Sequence, residues 1–483
     1  MGKSGSRGRA AGENRGWHYR GGYRTSGDSS MKKVDVAIIG AGPAGLFAAN
    51  ELIGSGLDVL LIDRGVEPSV RKHICFGVGG AGAFSDGKLN LTSKIGGDPA
   101  SIGQDEAVIQ SYIDQVDQTF TAFGAPEKYS GEDQQALSAL KREASRHGIE
   151  FISGRQRHMG TSHVREIIDR FYHHLLDHGI LTSLENRIEH ISHKGNGFIL
   201  SGKEEIEARY VLAAPGRAGA YWLREEAGKL GIVTEYGPID VGVRVEFPAE
   251  IYTQIEEVMY DAKLRVRTPS YDDMVRTFCT NPRGFVVKES YDDFTLVNGH
   301  AENDEKTENT NFALLSHIEL TDPVEDTTEY GRAIAKLATT IGGGRPIIQR
   351  LKDMKSGHRS TADRLRRAMI SPTLTDVTPG DISMALPDRV VVNLVEGLEQ
   401  LNAIIPGLTS DNTFIYAPEI KFYDTRYPVS PAMETIIPGF YVAGDASGHC
   451  RGIVYSAVSG LIAARHMRQI AQGSAVKLKE KRA

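Results

Sequence analysis

The segment GAGPAG (residues 40–45) is the feature that most constrains what this chain can fold into. An almost continuous apolar run, VDVAIIG, leads into it, as expected of a strand buried on both faces, and a helical pattern, LFAANELIGSG, follows it. In this setting the first glycine permits a tight turn, the second lets the backbone approach a pyrophosphate, and the third lets the helix pack closely on the strand. Asp63 ends the next strand, 18 residues after the last glycine, where a carboxylate can bind the ribose hydroxyls of an adenosine. The sequence therefore predicts a Rossmann-like βαβ unit that holds a dinucleotide at a helix N-terminus, with Gly40, Gly42, Pro43, Ala44, Gly45 and Asp63 as binding residues.

A second glycine-rich segment, FGVGGAGAFSDG (residues 76–87), also fits the spacing G-x-G-x-x-G, through Gly77, Gly79 and Gly82. It lacks the preceding buried strand and the following acid-ended strand that accompany the first segment. The preceding stretch VEPSVRKHIC is charged and interrupted by proline, and no strand ending in an acid follows at the required distance. IGGGRP (341–346) fails for the same reasons. We therefore predict one dinucleotide site, with this glycine-rich loop lying against the cofactor.

Length and composition indicate a globular protein. A chain of 483 residues that is 40% hydrophobic and 24% charged predicts two or three domains. No apolar run approaches the roughly 20 residues needed to span a bilayer, and no secretory signal is found near the N-terminus. Three cysteines in the whole chain make a disulfide scaffold a poor interpretation, and we expect a reducing, cytoplasmic location.

The net charge of −6 is unevenly distributed. Residues 1–30 hold six basic against two acidic residues, are rich in Gly, Arg and Ser, and are predicted to be a disordered leader. The folded part is expected to begin at Met31, and an alternative start codon or a tag would explain the leader. Residues 345–367 hold eight basic against two acidic residues, which leaves a net charge of −16 on the remainder. An acidic body argues against a broad nucleic-acid surface.

The hydrophobic pattern changes character along the chain. Buried-strand and helical patterns alternate at first, whereas VGVRVEF (241–247) alternates apolar and polar residues, as in a strand of a half-buried sheet, and further short strands follow it. Near the C-terminus GFYVAG returns to buried-strand character, before a helical pattern. We predict an α/β protein with a discontinuous dinucleotide-binding domain (31–237 and 410–472), an inserted, mainly antiparallel α+β substrate domain (238–409) and a flexible tail (473–483).

Three stretches together resemble the glutathione-reductase-like FAD enzymes: GAGPAG followed by DRG, VLAAPGRAG (211–219), and FYVAGDASGHCRGIVYSAVSG (440–460). The resemblance implies FAD as the cofactor, with Asp445 binding a hydroxyl of the flavin side chain. It also implies a helix beginning near Gly452 that points its N-terminus at the pyrimidine end of the flavin, where a positive helix end stabilises negative charge. The further FAD contacts implied by these motifs are Arg64, Ala214, Pro215, Gly216, Gly444 and Ile453.

A narrower resemblance rests on five motifs in order: GGAGAFSDGKLN, HMGTSHV, DVGVRVEFP, FCTNPRGFVV with TLVNGHA, and AGDASGHCRGIVYSAVSG. Over most of residues 31–470 the chain is similar to a family of poorly characterised microbial FAD-dependent dehydrogenases. The resemblance places the glycine-rich loop, with Gly80, Gly82 and Ser85, beside the isoalloxazine ring. Such proteins often carry several cysteines ahead of this loop, and here only Cys75 remains, so no cluster or dithiol is implied at that site.

Four residues near the predicted flavin are candidates for the chemistry. Lys88 could stabilise an anionic flavin or a substrate oxyanion, or form a structural salt bridge. His449 and Cys450 could donate or accept a proton, and Arg451 could orient a carboxylate substrate or pair with an acid. Cys75 and Cys450 could form a redox-active pair, although their spacing is not C-x-x-C.

Other reactive residue types fit plainer roles. Cys279 in FCTNP is predicted to be a packed small residue. The histidines match no common set of metal-ligand spacings, so no metal site is predicted: His158, His163, His173 and His174.

The combined prediction is an FAD-dependent oxidoreductase that moves a hydride between a small organic substrate and FAD. Without an NAD(P)H domain, the second electron partner must react at the flavin, and it stays open among a nicotinamide, a quinone, oxygen and a carrier protein. Alternatives are a tRNA-modifying flavoprotein, which would need a broad basic face, a prenyl-type C=C reductase, which would need a long apolar tunnel, and a flavin-binding protein without turnover.

Overall fold

The structure, a computed structural model, describes residues 31–480 except 74–75, 85–86, 292, 302–304, 319, 321–325 and 423–424. The predicted disordered leader and residues 481–483 lie outside the described residues. Residues 473–480, which belong to the predicted flexible tail, lie within the last helix, and their flexibility stays a prediction. This stretch, GSAVKLKE, contains no proline and is rich in good helix formers.

The strands, in chain order, are β1 (Lys32–Ile39), β2 (Val59–Ile62), β3 (Lys88–Leu91), β4 (Glu150–Ile152), β5 (Arg155–His158), β6 (Leu181–Ser183), β7 (His190–Lys194), β8 (Gly197–Ser201), β9 (Glu205–Ala213), β10 (Glu235–Tyr236), β11 (Ile239–Pro248), β12 (Lys263–Arg267), β13 (Met274–Asn281), β14 (Phe285–Ser290), β15 (Thr295–His300), β16 (Asn309–Ile318), β17 (Ile347–Arg350), β18 (Thr378–Pro379), β19 (Phe414–Phe422), β20 (Thr425–Arg426) and β21 (Phe440–Val442). The α-helices are α1 (Pro43–Glu51), α2 (Glu106–Ala122), α3 (Gln134–Arg146), α4 (Thr161–Asp177), α5 (Ala220–Lys229), α6 (Thr253–Val258), α7 (Thr327–Ile341), α8 (Leu351–Lys355), α9 (Ala362–Leu365), α10 (Asp388–Leu401) and α11 (Gly452–Glu480).

The first sheet contains the predicted Rossmann-like unit. Its described strands run in the order β6-β2-β1-β9-β8-β7, with β21 also paired to β9. The pairs among β6, β2, β1, β9 and β21 are parallel, whereas β7 and β8 form an antiparallel meander. Val36 and Ile38 pack in one core with the helices α1, α2, α4 and α11, while Ala37 and Ile39 pack in a second core on the opposite face. The α/β fold and the strand buried on both faces are thereby confirmed.

The second sheet is antiparallel apart from one edge pair. Its order is β18-β17-β19-β11-β16-β13-β12-β4, and β17 and β18 pair in parallel. Val241, Val243 and Val245 of β11 face an apolar core shared with α3, α7 and α10. The alternate residues Asp240, Gly242, Arg244 and Glu246 form the opposite, polar face, and they are buried as well. The prediction of alternation was right, but that of a half-buried strand was wrong, because the polar residues of β11 are buried as well.

The sheet pairings bear on the predicted domain bounds, which stay a prediction. β4 pairs with β12 and β19 pairs with β11, so both strands belong to the second sheet, although the sequence placed them in the dinucleotide-binding domain. A three-residue edge strand such as β4 leaves almost no pattern in a sequence. Across the part of the chain that the structure describes, no helix is both long and apolar enough to cross a membrane.

Candidate functional site

The turn between β1 and α1, residues 40–45 (the fingerprint turn), has no room for side chains at two of its glycines. Gly40 has φ +106°, and a Cβ there would lie 2.2 Å from the carbonyl oxygen of Ala214. A Cβ on Gly45 would lie 1.9 Å from the carbonyl oxygen of Gly40. Helix α1 begins at Pro43 and has no acidic residue in its first turn. The N-terminus of α1 therefore presents backbone N–H groups and a positive helix end without a competing carboxylate.

The carboxylate of Asp63 connects the fingerprint turn to the glycine-rich loop (residues 76–87). It accepts hydrogen bonds from three backbone N–H groups: Ala41 at 2.9 Å, Gly65 at 2.8 Å and Gly77 at 2.9 Å. The loop continues onto the turn, since Gly79 N donates to Ala41 O at 2.8 Å. The described part of the glycine-rich loop thus lies directly on the fingerprint turn. The ribose-binding role of Asp63 stays a prediction.

Helix α11 brings the C-terminal motif to the same place. A Cβ on Gly460 would lie 2.1 Å from the carbonyl oxygen of Ala44, so α11 and α1 are in direct backbone contact. At the start of α11, a Cβ on Gly82 of the glycine-rich loop would lie 3.0 Å from the side chain of Ile453. The first turn of α11 has no acidic residue. Two helix N-termini therefore flank the glycine-rich loop.

Asp445 lies between these elements. Its carboxylate accepts a hydrogen bond from Ser456 Oγ at 3.0 Å and lies 3.4 Å from Arg217 Nε. The backbone at Gly216 and Gly452 borders open space, because a Cβ on either residue would meet no atom within 4 Å. Two helix N-termini, a carboxylate and open glycine backbone are the groups that a dinucleotide with its diphosphate at α1 would contact.

Comparison with protein families identifies the cofactor. Residues 33–73, which contain the fingerprint turn and Asp63, match the family described as FAD binding domain. Residues 238–421 match the family described as FAD-dependent protein, C-terminal domain-like, and residues 373–475 match glucose inhibited division protein A. The chain is an FAD-dependent oxidoreductase.

Relatives of this flavoprotein are distant. An uncharacterized protein of Clostridium beijerinckii is 25% identical over 92% of this chain and 82% of its own. Among solved structures, the chain is similar to glycine oxidase from Geobacillus kaustophilus (14% identity, TM-score 0.39, 91% of this chain and 95% of that one). It is also similar to 3-ketosteroid-delta4-(5alpha)-dehydrogenase from Rhodococcus jostii RHA1 (14% identity, TM-score 0.43, 92% and 97%). L-proline dehydrogenase from P. horikoshii matches with 13% identity, TM-score 0.42, and coverages of 90% and 93%.

Lys88, at the start of β3 just after the glycine-rich loop, reaches the second sheet of the flavoprotein. Its Nζ donates to Thr280 O at 2.7 Å and lies 3.7 Å from the carboxylate of Asp261. Burial alone would raise the pKa of Asp261, but Lys263 and Lys88 outweigh burial and lower it to about 2. The charge of Asp261 thus holds the Lys88 ammonium at the end of β13.

Arg451 also contacts the second sheet, at the end of a different strand. Its Nη2 donates to Phe422 O, the last residue of β19, at 2.6 Å. In the sheet, β19 and β13 are separated by β11 and β16. Because β13 and β19 run in opposite directions, Thr280 and Phe422 lie at opposite ends of this four-strand block, so Lys88 and Arg451 contact diagonally opposite corners of it.

The polar face of this block is organised around Arg244, which the sequence analysis did not select. Its guanidinium is completely buried and donates to Asn311 Oδ1 at 2.8 Å, Glu419 at 3.3 Å and Cys279 O at 2.7 Å. Cys279 has φ +48° and lies in a bulge of β13. A positive φ in a residue other than glycine is strained backbone, of a kind that clusters at functional sites. The sequence pattern that could have indicated Arg244 is the placement of charged residues at alternate positions of VGVRVEF.

His449 has one ring nitrogen engaged and one available. Its Nε2 lies 2.7 Å from the carbonyl oxygen of Tyr427, and because a carbonyl only accepts, Nε2 carries the proton. Nδ1 is buried and has no hydrogen-bond partner among the described residues. Burial lowers the pKa of His449, as does nearby Arg426. His449 is therefore a neutral imidazole with a free lone pair on Nδ1, which suits a proton acceptor.

Cys450 does not suit the proposed chemistry. The residue is 1% exposed, and burial raises the pKa of its thiol to about 12. A protonated, buried thiol is a poor nucleophile and a poor member of a redox pair, so burial argues against these roles, and the catalytic role of Cys450 stays a prediction. Its predicted partner Cys75 and the predicted flavin contact Ser85 lie outside the described residues.

Two further predictions concern Arg64 and metals. The guanidinium of Arg64 lies over the ring of Phe76, 4.0 Å from its centroid, which places it beside the glycine-rich loop. Among the described residues, no group of three or more His, Cys, Asp or Glu side chains is arranged to hold a metal ion.

Proposed function

We propose that the chain moves a hydride between FAD and a small organic substrate that lies on the polar face of the second sheet, on the side of Lys88. One observation carries this proposal: Lys88, which follows the glycine-rich loop beside the cofactor-binding elements, donates to Thr280 O at the end of β13 in the second sheet. A substrate beside this end of β13 lies next to the glycine-rich loop of the flavin site.

FAD supplies the hydride chemistry when bound, and the protein supplies binding, orientation and electrostatics. The residues that would hold the cofactor are Gly40, Gly42, Pro43, Ala44, Gly45, Asp63, Arg64, Gly80, Gly82, Ala214, Pro215, Gly216, Gly444, Asp445, Gly452 and Ile453. The N-terminus of α11 would stabilise negative charge at one end of the ring system.

Three side chains have roles in this proposal. The Lys88 ammonium stabilises negative charge that develops on the substrate, because Asp261 and Thr280 fix its position before reaction. Arg451 holds the end of β19 at the far corner of the block and so supports the sheet on which the substrate lies. Nδ1 of His449 accepts a proton, since it is the unoccupied nitrogen of a neutral ring.

The order of the motifs supports placing the first sheet in the glutathione-reductase type of FAD domain and the whole chain with the microbial FAD-dependent dehydrogenases. We also propose that the inserted substrate domain begins near residue 238 and ends after β19, at residue 422. The second electron partner is proposed to react at the flavin, and a nicotinamide, a quinone, oxygen and a carrier protein are its candidates. The low cysteine content supports a cytoplasmic location.

The test begins with the purified chain, its extracted cofactor and anaerobic reduction of the visible flavin band. Dithionite should bleach the band in every variant, which shows that the flavin is competent. A panel of NADH, NADPH, amino acids, hydroxy acids and amines is then screened for a reductant. With any reductant found in the organic part of the panel, Lys88→Met should retain FAD but slow reduction at least about tenfold, as loss of one preorganised charge does. Lys94→Met, an exposed lysine just beyond β3, is the matched control.

Two results would contradict this function. A chain that binds no FAD has no flavin site. If Lys88→Met and Lys94→Met were both reduced at the rate of the unaltered protein, the substrate would not lie beside Lys88.

A further inference from the structure

Phe278 of β13 lies on the polar face, aligned with Ala313 and Arg244, and three cations lie around its ring. Nζ of Lys263 and Cζ of Arg276 each lie 5.0 Å from the ring centroid, and Nζ of Lys421 lies 5.6 Å from it. These cations come from the three strands β12, β13 and β19. The ring itself is half-buried, so this part of the face, which we call the Phe278 cleft, can be reached from outside.

The two lysines of the cleft, Lys263 and Lys421, each have more N–H donors than neighbouring acceptor groups. Lys263 Nζ donates to Asp261 at 2.6 Å, and Lys421 Nζ lies 2.9 Å from Glu419. An ammonium group has three N–H donors. The side chains are only 9% and 13% exposed, so water reaches them poorly, and no further acceptor is found among the described residues. Buried charged donors without acceptors are costly and favour binding of an anion.

Unpartnered polar atoms lie at the buried end of the same face. Asn281 and Asn311 pair across β13 and β16, and both residues are completely buried. Asn281 Nδ2 donates to Cys279 O at 2.9 Å, and Asn311 Oδ1 accepts from Arg244 at 2.8 Å. The remaining atoms, Asn281 Oδ1 and Asn311 Nδ2, have no partner within the described chain. Buried polar atoms of this kind are rarely left unsatisfied in proteins, so this end of the face has unfilled hydrogen-bonding positions.

We propose that the Phe278 cleft binds the carboxylate of an organic-acid substrate. The carboxylate takes the unfilled donors of Lys263 and Lys421, and the apolar part of the substrate packs on the ring of Phe278. The carboxylate does not lie over the ring, because an aromatic face is negative. This inference rests on the proposed function and specifies its substrate class.

Binding of simple probes tests the inference without knowledge of the true substrate. Benzoate and hexanoate are titrated into the FAD-loaded protein, each beside its neutral amide, benzamide or hexanamide. Calorimetry and the visible absorption of the bound flavin provide two readouts. We expect at least one acid to bind about tenfold or more tightly than its amide, as charge-assisted hydrogen bonds are stronger than neutral ones.

Two variants separate the carboxylate contact from the ring contact. Lys421→Met should remove most of the preference for the acid, and it leaves Glu419 paired with Arg244, so the buried carboxylate is not orphaned. Lys355→Met, which removes a lysine paired with Glu399 elsewhere on the same domain, is the matched control and should bind like the unaltered protein. Phe278→Leu should weaken acid and amide to the same extent.

The outcomes distinguish this inference from the proposed function. A protein that holds FAD and is reduced by an organic donor, but binds acids and amides equally or binds neither acid, overturns the carboxylate site and leaves the oxidoreductase intact. An unchanged acid preference in Lys421→Met overturns it as well. Loss of the proposed function would appear instead as absent FAD or a flavin that no organic donor reduces.

Discussion

Replacing Asp63 by asparagine tests whether its carboxylate holds the fingerprint turn and the glycine-rich loop together. The aspartate accepts three backbone N–H bonds of 2.8–2.9 Å, two on Oδ1 and one, from Ala41, on Oδ2. Asparagine keeps one acceptor oxygen and turns an NH₂ group toward the third donor. The variant therefore loses at least one charge-assisted bond and leaves a buried N–H unsatisfied, at a cost of about 2–4 kcal/mol.

The same change should weaken FAD binding, because the loop no longer rests on the turn that binds the cofactor. We expect the dissociation constant, measured by quenching of free FAD fluorescence, to rise at least about tenfold, together with a lower urea midpoint by circular dichroism. Asp35→Asn is the control, since Asp35 accepts one exposed backbone bond, from Asp58, in the same βαβ unit. If Asp63→Asn matched Asp35→Asn in both measurements, the anchoring role would be refuted.

Three further predictions follow from the same site. Gly45→Ala should abolish FAD retention, because its Cβ would lie 1.9 Å from a carbonyl oxygen; the flavin content of the purified variant measures this. In a Cys75→Ser/Cys279→Ser background, Cys450 should react with a thiol reagent only after denaturation, since burial raises the pKa of its thiol to about 12; rapid labelling of the native protein would contradict this. Burial lowers the pKa of His449 from 6.5, so the unfolded chain binds this proton more readily than the folded protein does. The free energy of unfolding should therefore decline as the pH falls below 6.5. Between about pH 7 and pH 5, the free energy of unfolding measured with urea should fall less steeply for His449→Gln than for the unaltered protein. Equal pH dependence of the two proteins would exclude this contribution of His449.

Local patterns in the sequence were sufficient for the first sheet. The run 34–40 and the glycines after it predict a strand, a turn and a helix because each property depends on neighbours within a few residues. The close approaches at Gly40 and Gly45 follow from the same local geometry. The sequence predicted that the glycine-rich loop lies against the cofactor site. It did not predict that the Asp63 carboxylate joins the loop to the turn, because Asp63 was assigned to the ribose.

Long-range packing decided what the sequence analysis missed. Arg244 looked like a solvent-facing residue of a half-buried strand, since its alternation with valines is the same in either case. It is buried because Glu419 and Cys279, which lie 175 and 35 residues away, cover and satisfy it. The burial of Cys450 was missed for a related reason: proximity to the predicted flavin indicated reactivity, whereas burial depends on how α11 packs.

The contact between α1 and α11 also sets an order of events during synthesis. Gly460 lies against Ala44, and Arg465 donates to Glu51 at 2.9 Å, across more than 400 residues of intervening chain. A nascent chain that has emerged as far as β19 contains all strands of the second sheet but lacks β21 and α11. The flavin site is therefore still missing the elements that follow residue 422. We therefore expect FAD to bind only in the final stage of translation, because a chain that stops before residue 452 lacks the second helix N-terminus of the proposed flavin site.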